Sequence, residues 1–158
     1  MFREMRRKNK ALGSDAAKHL LATERRGVLS VLGDDGYPYG VPINYIYSEA
    51  DGKIYFHGSR VGHKADAIKR CDKVCFTVYG NESVKDEAWA PYMQSVIIFG
   101  RCSTIDDRNA AMDAVRKLAG KYYPDTKLID EEIAKSGKAV QLFEITIEHL
   151  SGKEIQER

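Results

Sequence analysis

Cysteine is scarce in this chain. Cys71, Cys75 and Cys102 are its only three, an odd number whose spacing matches no disulfide framework. A small disulfide-stapled fold is therefore excluded, and a reducing cytoplasm is the expected compartment. Histidine is equally sparse, with four residues, and no pair of them stands at zinc-ligand spacing, so no metal site is expected and the cysteines read as core or half-buried thiols. No apolar run approaches the ~18 residues of a membrane span. The opening MFREMRRKNK is basic but lacks the apolar segment of a secretory signal. Net charge is almost absent, because 25 basic residues face 23 acidic ones and leave +2, which offers nothing to a nucleic acid in bulk. The local basic excess of residues 1–13 (Arg3, Arg6, Arg7, Lys8 and Lys10) has no interleaved stacking aromatics. Neither a nucleic acid nor a membrane is expected as a partner.

What remains is a chain of 158 residues, 43% hydrophobic and 30% charged, long enough to bury a full core as one domain over residues 1–158. Residues 1–13 form a basic N-terminal arm ahead of it. Ser14 reads as the cap of a short helix with Ala17, Leu20 and Leu21 on its apolar face and His19 at the surface. From Gly27 the period changes to that of a strand, which runs into the hairpin signal Asp34-Asp35-Gly36. The return strand covers residues 37–47, with Val41, Ile43, Tyr45 and Tyr47 on one face. Pro38 and Pro42 interrupt it, which implies an edge, a bulge or a ligand along part of its length. Residues 54–57, 74–79, 95–105 and 139–149 supply four more strands, with Gly100 marking a bulge or bend. A helix capped by Asp106 or Asp107 and a shorter one over residues 129–135 precede the last of these. A polar loop over residues 80–94 carries Trp89, the pattern of a packing anchor at a partner surface. These elements predict an α+β protein, mainly β, with six short antiparallel strands in a small barrel, since closure removes edges. Such a barrel is too narrow to hold a large ligand inside.

The most informative stretch is residues 53–79, KIYFHGSRVGHKADAIKRCDKVCFTVY. A strand ends in a turn over residues 58–62, and a short helix begins near His63. Ser59, Arg60, His63 and Lys64 gather where free backbone N–H groups and the positive end of the helix dipole already favour an anion. Arg60 suits bidentate phosphate binding and Lys64 supplies a point charge, while Gly58 and Gly62 permit close approach or positive φ. An ordinary solvated basic loop would use the same residue types.

Together, MFREMRRK, GVLSVLGDDGYPYGVPINYIY, KIYFHGSRVGHKADAIKRCDKVCFTV and YMQSVIIFGRC resemble the nitroimidazole-resistance (Nim) proteins of the larger family related to pyridoxamine 5′-phosphate oxidase. That resemblance implies a six-stranded split β-barrel binding FMN, and a homodimer with the cofactor in its interface clefts. It implies that Val41, Pro42, Ile43 and Asn44 meet the isoalloxazine ring. Phe56, His57, Gly58 and Ser59 would run toward the phosphate, and Arg60, His63 and Lys64 would bind or neighbour it. The second subunit would bring Ser95 and Val96, with Trp89 or Met93. The implied activity is an FMN-dependent oxidoreductase passing electrons to a small acceptor such as a nitroaromatic, with His57 or His63 as the catalytic proton donor or acceptor. Pyridoxamine phosphate oxidation is not expected, because LFEITIEHLSGKEIQER lacks the end segment such oxidases carry. Fold alone leaves two alternatives open, a non-catalytic flavin-binding protein and a haem-binding split barrel with His57 or His63 as axial ligand.

Overall fold

A strand whose side chains alternate between oil and water must lay its apolar face on something, and here seven such strands lay theirs on one another. In the computed structural model, which describes residues 1–86 and 89–156, they are β1 (Arg26–Leu32), β2 (Pro38–Asn44), β3 (Ile46–Ser48), β4 (Lys53–Gly58), β5 (Lys73–Ser83), β6 (Tyr92–Thr104) and β7 (Gln141–Gln156). All pairings are antiparallel, in the order β2-β1-β5-β6-β7-β4-β3. Helices α1 (Ser14–Thr23), α2 (His63–Arg70), α3 (Arg108–Tyr122) and α4 (Thr126–Ser136) complete the architecture. No helix among the described residues is long and apolar enough to cross a membrane.

The two edge strands, β2 and β3, are consecutive in the chain and separated only by Tyr45. The sheet is therefore curled into a half-barrel. Its inner face carries Leu29, Ile54, Phe56, Phe76, Val96, Ile98, Phe143 and Ile145, each fully or almost fully buried. Burying side chains of this size contributes about 1.5–3 kcal/mol apiece. Phe56 stacks on Phe143 with ring centroids 5.0 Å apart, and Tyr45 meets Phe76 edge-on at 4.9 Å.

The strand count corrects the expectation of six. Residues 37–47 are not one strand, because α3 takes Tyr45 out of the ladder. Its backbone N–H donates to the Tyr122 hydroxyl, and its carbonyl accepts from Tyr122 Oη and from Lys121 Nζ, at 3.0, 3.0 and 3.1 Å. The Tyr122 hydroxyl also reaches the Arg25 carbonyl, and Lys121 that of Glu24. With its polar groups satisfied by side chains, Tyr45 can turn a corner that a ladder would forbid.

Other expectations differ at their ends. The last strand runs on to Gln156, because β6 extends far enough to template it, pairing Val96 with Gly152 and Tyr92 with Gln156. The loop expected over residues 80–94 is shortened from both sides by β5 and β6, and residues 87 and 88 of it lie outside the described residues. Gly13, not Ser14, caps α1, while Asp107 caps α3 by accepting from the Ala110 N–H at 2.8 Å. The Asp-Gly hairpin is as read: Asp35 and Gly36 both take positive φ, 54° and 77°, as a type I′ turn requires. The register of β6 on β7 shifts between Phe99 and Gly100, the bulge expected there.

Replacing Tyr122 by Phe leaves the Tyr45 N–H without a partner, and should cost about 1–3 kcal/mol in urea unfolding; a destabilisation below about 0.5 kcal/mol, the size of an ordinary surface substitution, would contradict this role. Burial, then the charge of Arg25, pushes the Lys121 pKa down to about 8 from 10.5. Between these two values the unfolded chain binds more protons than the folded one, so this residue's contribution to stability rises with pH across that window. The stability difference between the native chain and Lys121→Met should therefore shift in favour of the native chain between pH 8 and pH 10.

Candidate functional site

Helix α2 is short and held at both ends. Ala65, Ala67 and Ile68 bury its inner face, and Arg70 at its end forms an ion pair with Asp34 at 2.9 Å. At its start, His63 Nε2 accepts from the Asp34 N–H at 3.3 Å, and the imidazole stacks on Tyr39 at 4.1 Å. The helix is thus fastened to the β1–β2 hairpin. Its cap, Gly62, sits at φ 120° with no side-chain capping bond, and Asp66 is the acidic residue of the first turn.

The turn before it is shaped from within. Ser59 Oγ accepts from the Val61 N–H at 3.2 Å. Arg60 Nη1 donates to Gln141 Oε1 at 3.1 Å, and Gln141, only 8% exposed, donates in turn to the Leu142 carbonyl at 2.9 Å. Gln141 stands opposite Gly58 in the β4–β7 register. Lys64 is half-buried, and its ammonium lies where a Cβ on residue 58 would come within 2.8 Å of it. The Phe56 ring lies 5.5 Å away. Among the described residues no carboxylate pairs with Lys64. Burial accordingly pushes its pKa down. A cation half out of water and without a counter-ion leaves an electrostatic deficit that an anion would fill.

The remaining candidates divide by position. On β2, Val41 is half-buried, Pro42 and Asn44 are exposed, and Ile43 is buried at 8%. This strand forms an edge of the sheet, which is where its two prolines are tolerated. Phe56 is wholly buried and belongs to the core. His57 opens to solvent beyond it, and partial shielding and then the Lys64 charge lower its pKa. His63 has its Nε2 engaged by the Asp34 N–H of the hairpin, whereas the His57 side chain has no hydrogen-bond partner among the described residues. Ser95 lies half-exposed on the outer face of β6, while Val96 is 0% exposed and has no side-chain surface to offer a ligand. Trp89 is 87% exposed and Met93 half-buried. Sequence reasoning missed Gln141; its one signal is a polar residue inside the apolar run AVQLF.

The fold is shared with known proteins. The family model described as pyridoxamine 5′-phosphate oxidase matches residues 13–154. No curated protein matches the chain. Among solved structures, a candidate 5-nitroimidazole antibiotic resistance protein of Bacteroides thetaiotaomicron is 17% identical, with a TM-score of 0.76 over 91% of this chain and 86% of that one. An FAD-binding protein of Mesorhizobium loti is 21% identical, with a TM-score of 0.69 over 93% and 98%. A flavocytochrome of Azotobacter vinelandii is 19% identical, with a TM-score of 0.78 over 98% and 73%. At such identities the likeness establishes the fold, whereas the family model covers most of the chain, and the chain belongs to the pyridoxamine 5′-phosphate oxidase family.

Proposed function

We propose that the chain is a flavin-dependent oxidoreductase of split-barrel type, binding the FMN phosphate at the turn before α2 and passing electrons to a small acceptor such as a nitroaromatic. The observation that carries this reading is Lys64, a half-buried cation with no carboxylate partner among the described residues, pressed against Gly58 at the start of a helix without a side-chain cap. A phosphate monoester fits that place by charge and by donor type. The relatives named as FAD-binding and as a flavocytochrome support a flavin in particular.

A bound flavin supplies the redox chemistry. The chain's own residues bind, orient and exclude water. Arg60, aimed by Gln141, and Lys64 hold the phosphate. The exposed edge of β2, residues 41–44, offers backbone groups and apolar atoms to the ring. His57 is the residue placed to move a proton: it is open to solvent, and its lowered pKa keeps it mainly neutral at pH 7. His63 keeps the turn in place.

A second copy of the chain is the proposed partner. The outer face of β5 and β6 exposes Tyr79 by 61%, Ile97 by 39% and Phe99 by 41%, with Ser95 on the same face, paired to Tyr79. Exposed apolar side chains on one sheet face suit an interface, although Phe2 already stacks on Phe99 within the chain. Trp89 stands exposed in the loop that joins these two strands. A cytoplasmic location fits three free cysteines.

The purified protein should show flavin absorbance and release the flavin on denaturation. Arg60→Ala with Lys64→Ala should weaken FMN binding by about 1.5–3 kcal/mol for each charge-assisted hydrogen bond to the phosphate that is removed. Wild-type FMN affinity in that double variant, measured by calorimetric titration, would reject the site. In flavin-free protein the effect of Lys64 reverses sign. Lys64→Met should raise the urea midpoint, because it removes an uncompensated half-buried charge, whereas a lowered midpoint would mean that the charge is already satisfied.

A further inference from the structure

Helix α4 packs on α3 without closing the space between them. Arg116 and Asp130 tie the two helices at 3.6 Å, and Ile129 is the buried residue of α4. Together with the start of β7 they bound a cleft of about 530 Å³, a volume within the range of small-molecule sites. Ile105, Met112, Val115, Ile133 and Val140 line it, and each is only half-buried. Apolar surface is thus left in contact with water, and covering it is favourable. Among the described residues no aromatic side chain lines the cleft, so it offers a flat ring nothing to stack on, whereas Met112 adapts readily to a flexible chain.

The charge of the lining is one-sided. Arg60, Arg108 and Lys138 belong to it against one carboxylate, Asp106. Among the described residues neither Arg108 nor Lys138 forms an ion pair, and Arg60 bonds to the neutral Gln141. A sphere of the cleft's volume is about 10 Å across, about one Debye length at 0.1 M salt, so an anion held inside feels these cations with limited screening. Apolar walls with an excess of positive charge match an amphiphile with a single anionic head. A carboxylate suits that head, since arginine receives it through two parallel hydrogen bonds.

We propose that this cleft binds a medium-chain aliphatic carboxylate, its chain against Met112, Val115 and Ile133 and its head at Arg108 and Lys138. Arg60 adds to the field without having to leave Gln141. The occupant needs no flavin, because α3, α4 and the start of β7 supply its contacts.

The test is calorimetric titration of the purified protein with octanoate and with octan-1-ol, which has the same chain length and no charge. Octanoate should bind at least about tenfold more tightly, a difference that one charge-assisted hydrogen bond supplies. Arg108→Ala with Lys138→Ala should remove that preference while octanol affinity stays within about twofold. Ala111→Trp, which fills the cleft, should weaken both ligands by about tenfold or more. Circular dichroism and the urea midpoint establish that each variant folds; should Ala111→Trp not fold, Ala134→Trp fills the same cleft from α4. No binding of octanoate by the native chain, equal affinity for acid and alcohol, or undiminished binding in the folded variants overturns the proposal, and none of these outcomes bears on the flavin site.

Discussion

A single residue's backbone sets the shape of this protein. Tyr45 lies between the two edges of a seven-stranded sheet, where neither edge can pair with it, and a buried peptide group without partners is costly. Lys121 and Tyr122 of α3 provide the missing partners. Because of them the chain can leave β2, turn, and enter β3 on the other side of the half-barrel. That corner brings β2 back toward β4 and the turn that follows it, although their strands sit at opposite ends of the sheet order. The arrangement has an electrostatic cost, visible in the depressed pKa of Lys121, so the joint is satisfied in hydrogen bonds while its charge stays imperfectly solvated.

The same physics recurs at the turn before α2 with the opposite outcome. Lys64 is also half-buried and also has a lowered pKa, but among the described residues no carbonyl cluster receives its ammonium. One lysine completes the fold and the other is left without a carboxylate partner among the described residues. The difference lies in what surrounds each: backbone carbonyls and a tyrosine hydroxyl gather at the corner, whereas Gly58, Phe56 and a helix start surround Lys64. The ties from α2 to the β1–β2 hairpin, Arg70 to Asp34 and His63 to the Asp34 N–H, hold the start of α2 in a fixed place. Preorganisation of this kind lets a site bind without first ordering itself.

Much of this was legible in the residues. The alternation of apolar residues located the strands, Asp35-Gly36 located a hairpin, Gly100 a bulge and Asp107 a cap, because each of these is a local preference that needs no distant partner. The start of a helix at His63, just after Ser59 and Arg60, was legible for the same reason. The count of six strands failed at Tyr45, whose surroundings in sequence are those of an unbroken strand and whose partners lie 76 and 77 positions away. The surroundings of the histidines were equally hidden, since the hairpin supplies partners to His63 that the residues nearby in sequence do not reveal.

Local chemistry thus determined the elements, their approximate order and the gathering of polar and cationic residues before α2. Tertiary structure decided the rest: that the return strand breaks, that Val96 turns wholly inward and Ser95 outward, that Gln141 aims Arg60, and that Arg108 and Lys138 share a cleft with it. The physical reason is range. Helix and strand periods, turns and caps are settled within a few residues, whereas burial, pairing and the absence of a counter-ion depend on which distant segments the curled sheet brings together.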